Sequence, residues 1–418
     1  MSQLTGTVTE IYTTGNTSSR ARQHSPTVVL AAGILLTMLP VTMIVPVLKE
    51  LVSVRFLVDT FWAHAFMSTS LIGAILFAPI AGRILDRGVN RRMLFAVSLS
   101  LNALCFAGMA VASSFPALMV ARFLEGTMHI TALSAWLTCG AESAKPGRTG
   151  RTMGALGGMI MLGITIGVPL GGVIAGDNAI RVLWAAAGVS FATALFAFVA
   201  VQNTAAKSPK LHRSGNLIGM LRNNPFILIP YAYSFIDRLC IGVVVSTLGL
   251  YMTDVLMMSP AQRGITLSYF LIPFSLLSYP AGRLSDRTGR VGMMVTGSLL
   301  FGVVFMFYGH LENHWFAVAM VFSGIMSSLM FAPTLALCKD LSATESHGAV
   351  FAGYNIAGSL GFVVGPLVGG SLFYWFSQQY SDLEAYRQTF IISGSFELFC
   401  VLVSLPFFWR LYSVKKSR

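Results

Sequence analysis

Runs of about 20 apolar residues recur twelve times along this 418-residue chain, each closed by a short polar segment. That is the length a helix needs to cross a hydrocarbon core of roughly 30 Å. The runs fall near 27–48, 60–81, 93–113, 115–138, 152–175, 180–201, 226–253, 263–281, 292–309, 315–338, 348–373 and 388–409. Long helices satisfy their own backbone hydrogen bonds, as the bilayer interior demands. The pattern therefore predicts an all-α integral membrane protein with 12 transmembrane helices. One longer polar and basic stretch, 202–225, divides the runs six and six. The expected organisation is a disordered tail 1–26, a six-helix bundle 27–201, a linker 202–225, a second six-helix bundle 226–410 and a basic tail 411–418. Residues 1–26 are rich in Ser and Thr, with no apolar core before a cleavage site, and read as a tail rather than a signal peptide.

Composition agrees with this picture. Hydrophobic residues make up 55% of the chain and charged residues 11%, against roughly a quarter charged in an ordinary soluble domain. Mean hydropathy is +0.72. The net charge of +12 would suit nucleic acid, but its placement points elsewhere. Of 28 Lys and Arg, 21 fall in segments on the side of the N-terminus and only five, Lys49, Arg55, Arg181, Arg263 and Arg387, on the other. Such a bias places both termini in the cytoplasm and the basic surface against lipid headgroups. A bacterial inner membrane is the expected location, and nucleic acid is not an expected partner. The five cysteines show no C-x-x-C spacing, so neither a metal site nor a disulfide scaffold is indicated. No Gly-Lys pair occurs, hence no Walker A loop, and no cofactor is called for. The chain does not read as an enzyme.

The two halves repeat one another. Ala81-Gly82-Arg83-Ile84-Leu85-Asp86-Arg87 returns 200 residues later as Ala281-Gly282-Arg283-Leu284-Ser285-Asp286-Arg287, and both copies are followed by more base, Arg91 and Arg92 in the first, Arg290 in the second. A loop duplicated at the middle of each half points to a transporter made of two homologous, pseudo-symmetric bundles. Gly163, Gly167, Gly171 and Gly172 in the fifth run are matched by Gly361, Gly365, Gly369 and Gly370 in the eleventh. A ribbon of small residues lets two helices approach closely, since packing drives helix association in lipid.

These motifs resemble those of the major facilitator superfamily. The spacing Gly-x-x-x-Asp-Arg followed by base is similar to its loop signature, and the second copy continues Thr288-Gly289-Arg290 as that family does. The string Gly361-x-x-x-Gly365-Pro366-x-x-Gly369-Gly370 resembles one that its exporters carry in helix 5. Here helix 5 has Val168 at the proline position and Pro169 one residue late. Pro46-Val47-Leu48-Lys49 is similar to the drug-exporter string Pro-Val-Leu-Pro. The resemblance implies a central cavity between the bundles. It also implies a gating latch of Asp86 and Arg87 in which the carboxylate sits near a helix N-terminus, the arginines pair across bundles, and Gly82 allows a tight approach of helix and loop.

Charges that do not repeat are the candidates for chemistry. Arg122, Glu125 and His129 lie at i, i+3 and i+7 of the fourth run, on one helical face. Ionisable groups at membrane depth face a bundle interior or a wet cavity, because facing lipid costs several kcal/mol. Arg122-x-x-Glu125-Gly126 resembles the family's Arg-x-x-Gln-Gly string, tied to proton coupling in exporters, with Glu125 adding a titratable group. A structural Arg122–Glu125 ion pair with a satisfied buried His129 is the plainer alternative. Asp237 and Arg238 lie near mid-depth in the seventh run, and only one of two adjacent helical residues can point at a given cavity. Glu397, in the last run, is expected at a packing or lipid-facing site, and His64 near the surface. Trp62, Phe66, Tyr231, Tyr233, Phe235, Tyr269, Phe270, Phe274, Tyr354 and Asn355 offer aromatic and polar surface for an amphipathic cargo. The reading is a secondary active transporter, acting as a monomer by alternating access, for proton-coupled export of a small amphipathic organic compound such as a drug-like molecule, metabolite or siderophore. Uptake by symport or facilitated diffusion is the alternative. A non-transporting sensor or assembly partner is the third.

Overall fold

A computed structural model describes residues 26–86, 89–143, 149–201, 222, 224–311, 313–341 and 347–416. The tail 1–25 and most of the linker 202–225 lie outside them. The first half forms α1 (Pro26–Met43), α2 (Thr60–Asp86), α3 (Arg91–Val111), α4 (Phe115–Ser143), α5 (Thr149–Ala175) and α6 (Ile180–Ala200). The second forms α7 (Pro225–Asp254), α8 (Pro260–Thr288), α9 (Arg290–Met306), α10 (Asn313–Asp340), α11 (His347–Ser377) and α12 (Asp382–Lys416). A 3-10 turn at Val45–Val47 and a π-helical turn at Glu50–Val54 carry α1 onward, and α7 contains a π-helical turn at Val244–Leu248. Eleven of these helices are long and apolar enough to cross a membrane. The exception is α4, whose hydropathy is lowered by Arg122, Glu125 and His129 at its middle.

Helix ends run past the apolar stretches that mark them in the sequence. A 27-residue helix such as α2 is about 40 Å long, more than the hydrocarbon alone requires. For the same reason α12 continues to Lys416, into the segment read as a tail. With twelve crossings, α1 begins and α12 ends on one face, called here the terminal face; the opposite one is the far face.

The repeat in the sequence is a repeat in space. Within the first bundle α1 packs on α5, α2 on α4, and α3 on α4 and α6. Within the second, α7 packs on α11, α8 on α10, and α9 on α10 and α12. The glycine ribbons explain two of these pairings. Gly163, Gly167 and Gly171 lie against Met38, Thr42 and the Met43 carbonyl of α1, while Gly361 and Gly365 lie against the Phe235 and Leu239 carbonyls of α7. Gly369 meets Thr247, and Pro366 abuts Gly242. The last glycine of each ribbon turns to the other bundle: Gly172 meets Pro260 of α8, and Gly370 meets His64 of α2. The bundles touch through α5–α8 and α2–α11. Gly289, at φ 97°, makes the turn from α8 into α9, a conformation that glycine adopts without strain.

Close approach makes a direct prediction. A methyl group at Gly126 collides with the Ser70 carbonyl of α2, whereas one at Gly108 of α3 meets nothing within 4 Å. Gly126→Ala should destabilise the purified protein by about 1–3 kcal/mol. Gly108→Ala should be neutral or stabilising by up to about 1 kcal/mol through helix propensity. Thermal unfolding in one detergent compares them, and equal midpoints would contradict this packing.

Candidate functional site

A cavity of about 250 Å³ lies between the bundles, walled by α1, α2, α4 and α5 from the first and α7, α8 and α11 from the second. Its lining is mainly apolar, with Met38, Met67, Met161, Phe270, Phe274 and Phe362 among the larger side chains. The polar lining is Thr42, Ser70, Thr165, Arg122, His129 and Arg238.

On α4, Arg122 and His129 reach the cavity wall, and Glu125 sits just behind them, fully buried. The Arg122 Nη1 donates to Glu125 Oε2 at 3.0 Å, and the Ser70 hydroxyl donates to the same oxygen at 2.7 Å. Asn102 of α3 donates to the Glu125 backbone carbonyl at 3.2 Å and accepts from Ser190 of α6 at 3.0 Å. The ion pair is therefore held by three neighbouring helices. It is incomplete: Arg122 Nε and Glu125 Oε1 have no partner among the described residues. The Arg122 guanidinium also lies 4.9 Å from the centroid of the Phe66 ring.

On α7 the roles of the adjacent pair separate. Arg238 lines the cavity, while Asp237, 2% exposed, turns toward α10 and accepts from Ser327 at 3.4 Å. Of the two candidates it is Arg238 that points at the cavity, and the 100° between neighbours on a helix sends Asp237 into the bundle. Arg238 Nε lies 3.7 Å from Asp237, and its guanidinium sits near the rings of Phe331 and Phe362.

The cavity is shut toward the far face by contacts between the bundles. Lys49, at the end of α1, pairs with Asp254, at the end of α7, which also accepts from Tyr386 at 2.5 Å. Glu50 pairs with the almost fully buried Arg263 of α8, which also donates to Thr253 at 2.5 Å. Below them Ser68 of α2 donates to the Val363 carbonyl of α11 at 2.8 Å. The Lys49, Glu50 and Ser68 contacts are hydrogen bonds and ion pairs from one bundle to the other. The bundles are fastened at mid-depth and at the far face. The spacing of the sequence offers no hint of the outermost pairs, whose members lie more than 200 residues apart.

At the terminal face the described residues of the repeated loops pair locally. Arg91 pairs with Glu142 at 2.9 Å, and Arg290 with Asp340 at 2.5 Å and Asp286 at 3.2 Å. Each arginine thus joins helices of its own bundle, not across. Among the described residues, a methyl group at Gly82 meets nothing within 4 Å, and one at Gly282 meets only Ala332, at 3.7 Å. Arg287 is exposed. Arg87 lies outside the described residues, and the side chain of Asp86 with it.

Two other candidates are buried. His64 is fully buried against Gly370, with neither ring nitrogen partnered among the described residues. Glu397 is also fully buried, accepting from Ser298 at 2.5 Å, and so takes the packing site of the two expected for it. Depth along a helix does not reveal which way a side chain points. Of the aromatic candidates, Phe270 and Phe274 line the cavity. Tyr231 and Tyr233 bond within the second bundle, to the Val350 carbonyl and Ser404, and Tyr269 is exposed on the outer surface. The three methionines and Phe362 are lining residues that the sequence reading passed over, although they sit at helical spacing on helices expected around the cavity.

Comparison with known proteins bears on this arrangement. The human chromaffin granule amine transporter is 24% identical over 319 residues, 71% of this chain and 57% of that protein. The quinolone resistance protein NorA of Staphylococcus aureus is 26% identical over 198 residues, 46% of this chain and 47% of that protein. The chain thus aligns with about half the length of these curated relatives. In fold it is similar to a bacterial homolog of the human lysosomal transporter Spinster in an inward-facing, unoccupied conformation, with TM-score 0.79 at 12% identity, covering 92% of this chain and 96% of that one. The sequence model of the Major Facilitator Superfamily matches residues 30–237 and again 231–418, one match for each bundle. With both halves matched and the two bundles enclosing a shared cavity, the chain belongs to the major facilitator superfamily.

Proposed function

We propose that the protein is a proton-coupled exporter of a small amphipathic organic compound, working by alternating access. The observation that carries this reading is the cavity itself. It is walled by both bundles and, among the described residues, fastened shut toward the far face, so a rocking of one bundle against the other exposes it to each side in turn. The apolar lining with a few polar groups suits an amphipathic cargo. A carboxylate within the membrane, Glu125, held by Arg122 at the cavity wall, supplies a titratable group for coupling. The basic residues of the terminal side favour cytoplasmic termini in a bacterial inner membrane, which makes the observed state inward-open. One cavity served by both bundles of a single chain favours a functional monomer. The relatives are named for amines and for quinolone resistance, which favours small organic cargo.

Inside-out vesicles test this. With an imposed gradient, acid inside, vesicles containing the protein should accumulate a cargo from a library of small amphipathic compounds, and an uncoupler should abolish the accumulation. Equal equilibration with and without the gradient would instead favour facilitated diffusion.

A further inference from the structure

The charges around the central cavity point to a class of cargo, an inference that rests on the transporter reading and narrows it. Two guanidiniums reach the cavity from opposite bundles, Arg122 and Arg238, with His129 beside the first. No carboxylate stands with them among the described lining: Glu125 lies behind the wall, and Asp237 is turned toward α10. A cationic amine placed there meets like charge without a counter-charge in contact.

Arg238 carries the argument further. It makes no hydrogen bond among the described residues. Its sole carboxylate neighbour is 3.7 Å from Nε, beyond hydrogen-bonding distance. The rings of Phe331 and Phe362, at 4.8 and 5.2 Å, flank the guanidinium and leave it 11% exposed. A guanidinium has five N–H donors in a planar fork. Here that fork lies at a largely apolar wall, with no acceptor within hydrogen-bonding distance among the described residues. Arg122 has spare capacity as well, since its Nε is buried and unpartnered.

We propose that the cavity binds an amphipathic organic acid. Its carboxylate, sulfonate or phosphate is forked by Arg238 of the second bundle and reached by Arg122 of the first. Its apolar body rests on Met38, Met67, Met161 and Phe274. A volume of about 250 Å³ limits that body to one or two rings. Because both arginines address one acid group, the cargo ties the bundles together at the point about which they rock.

Binding to the purified full-length protein tests this without requiring transport. The probes share one ring system: naphthylacetate, naphthylacetamide and naphthylethylamine, titrated calorimetrically in neutral detergent. The acid should bind at least about tenfold tighter than the amide, the increment of a charge-assisted fork, and the amine most weakly. Arg238→Gln should bring the acid and amide affinities together by weakening only the acid, and Arg238→Lys should restore part of the difference. Retained amide binding shows that the variant is folded. Naphthyl phosphate should behave as the acid does, whereas a short-chain phosphatidylglycerol should bind no tighter than the amide. Tighter binding of the amine, an unchanged acid-to-amide ratio in Arg238→Gln, preference for the lipid, or no binding by any probe overturns the proposal. A failure of this kind leaves the vesicle experiment unaffected, and a failure of that experiment leaves these affinities as they are.

Discussion

Glu125→Gln should abolish uphill transport driven by a pH gradient while leaving downhill exchange of cargo, and Arg122→Ala should lose both. Glutamine keeps the shape of the side chain and still accepts from Ser70, so the α2–α4 packing around Gly126 persists. What it cannot do is take up and release a proton. Exchange needs no net proton movement and should survive. Removing Arg122 is a different injury, because it strips the cation from a carboxylate with no exposed surface. Breaking a buried pair from one side costs about 3–5 kcal/mol. It also removes one of two guanidiniums from the cavity wall. Paired assays in vesicles, gradient-driven accumulation and equal-pH counterflow, separate the two effects. Full uphill transport by Glu125→Gln would make Glu125 structural and pass the coupling role to Asp237, buried beside Arg238.

Neutralising the far-face pairs should shift the protein toward a state open on that side. The end of α1 presents Lys49 then Glu50, and the second bundle answers with Asp254 and Arg263. Arg263 is almost fully buried and its partner Glu50 is partly exposed, so the loss of one pair lies between the values for exposed and fully buried pairs, about 2 kcal/mol. That changes the closed-to-open ratio by about thirtyfold. Arg263→Gln should therefore make a cysteine placed at Val45, on the cavity wall, reactive to an impermeant maleimide added from the far side. Exchanging the partners, Glu50→Arg with Arg263→Glu, should restore protection. Unchanged labelling in Arg263→Gln would make the pairs incidental to closure.

The sequence made some of this legible and hid the rest for identifiable reasons. Helices and repeat were readable because hydropathy and small-residue spacing are local signals: the two glycine ribbons lie on α1 and α7 at matching registers. The Arg122–Glu125 contact was readable because i and i+3 are neighbours on any helix. The direction of Asp237 was not, since azimuth is set by what packs against α7, here Ser327 of α10. The burial of His64, and which of its two expected sites Glu397 would take, were hidden for the same reason, as depth alone does not tell a seam from a lipid face. The Lys49–Asp254 and Glu50–Arg263 pairs join distant segments through bundle docking, which leaves no mark on spacing. Of the loop arginines, Arg91 and Arg290 pair within their own bundles, while Arg87, on which the expected latch turns, lies outside the described residues.

The central claim is that the two faces open in alternation, and distances between spin labels measure it most directly. Leu57 and Met257 are exposed far-face residues, one in each bundle and both at positive φ, and Val89 and Arg287 are exposed at the terminal face. In a background lacking the five native cysteines, label pairs at 57/257 and 89/287 should change in opposite directions between pH 5.5 and 8, one lengthening as the other shortens. Two distances that stay fixed under both conditions and with cargo, or that lengthen together, would contradict alternating access in this protein.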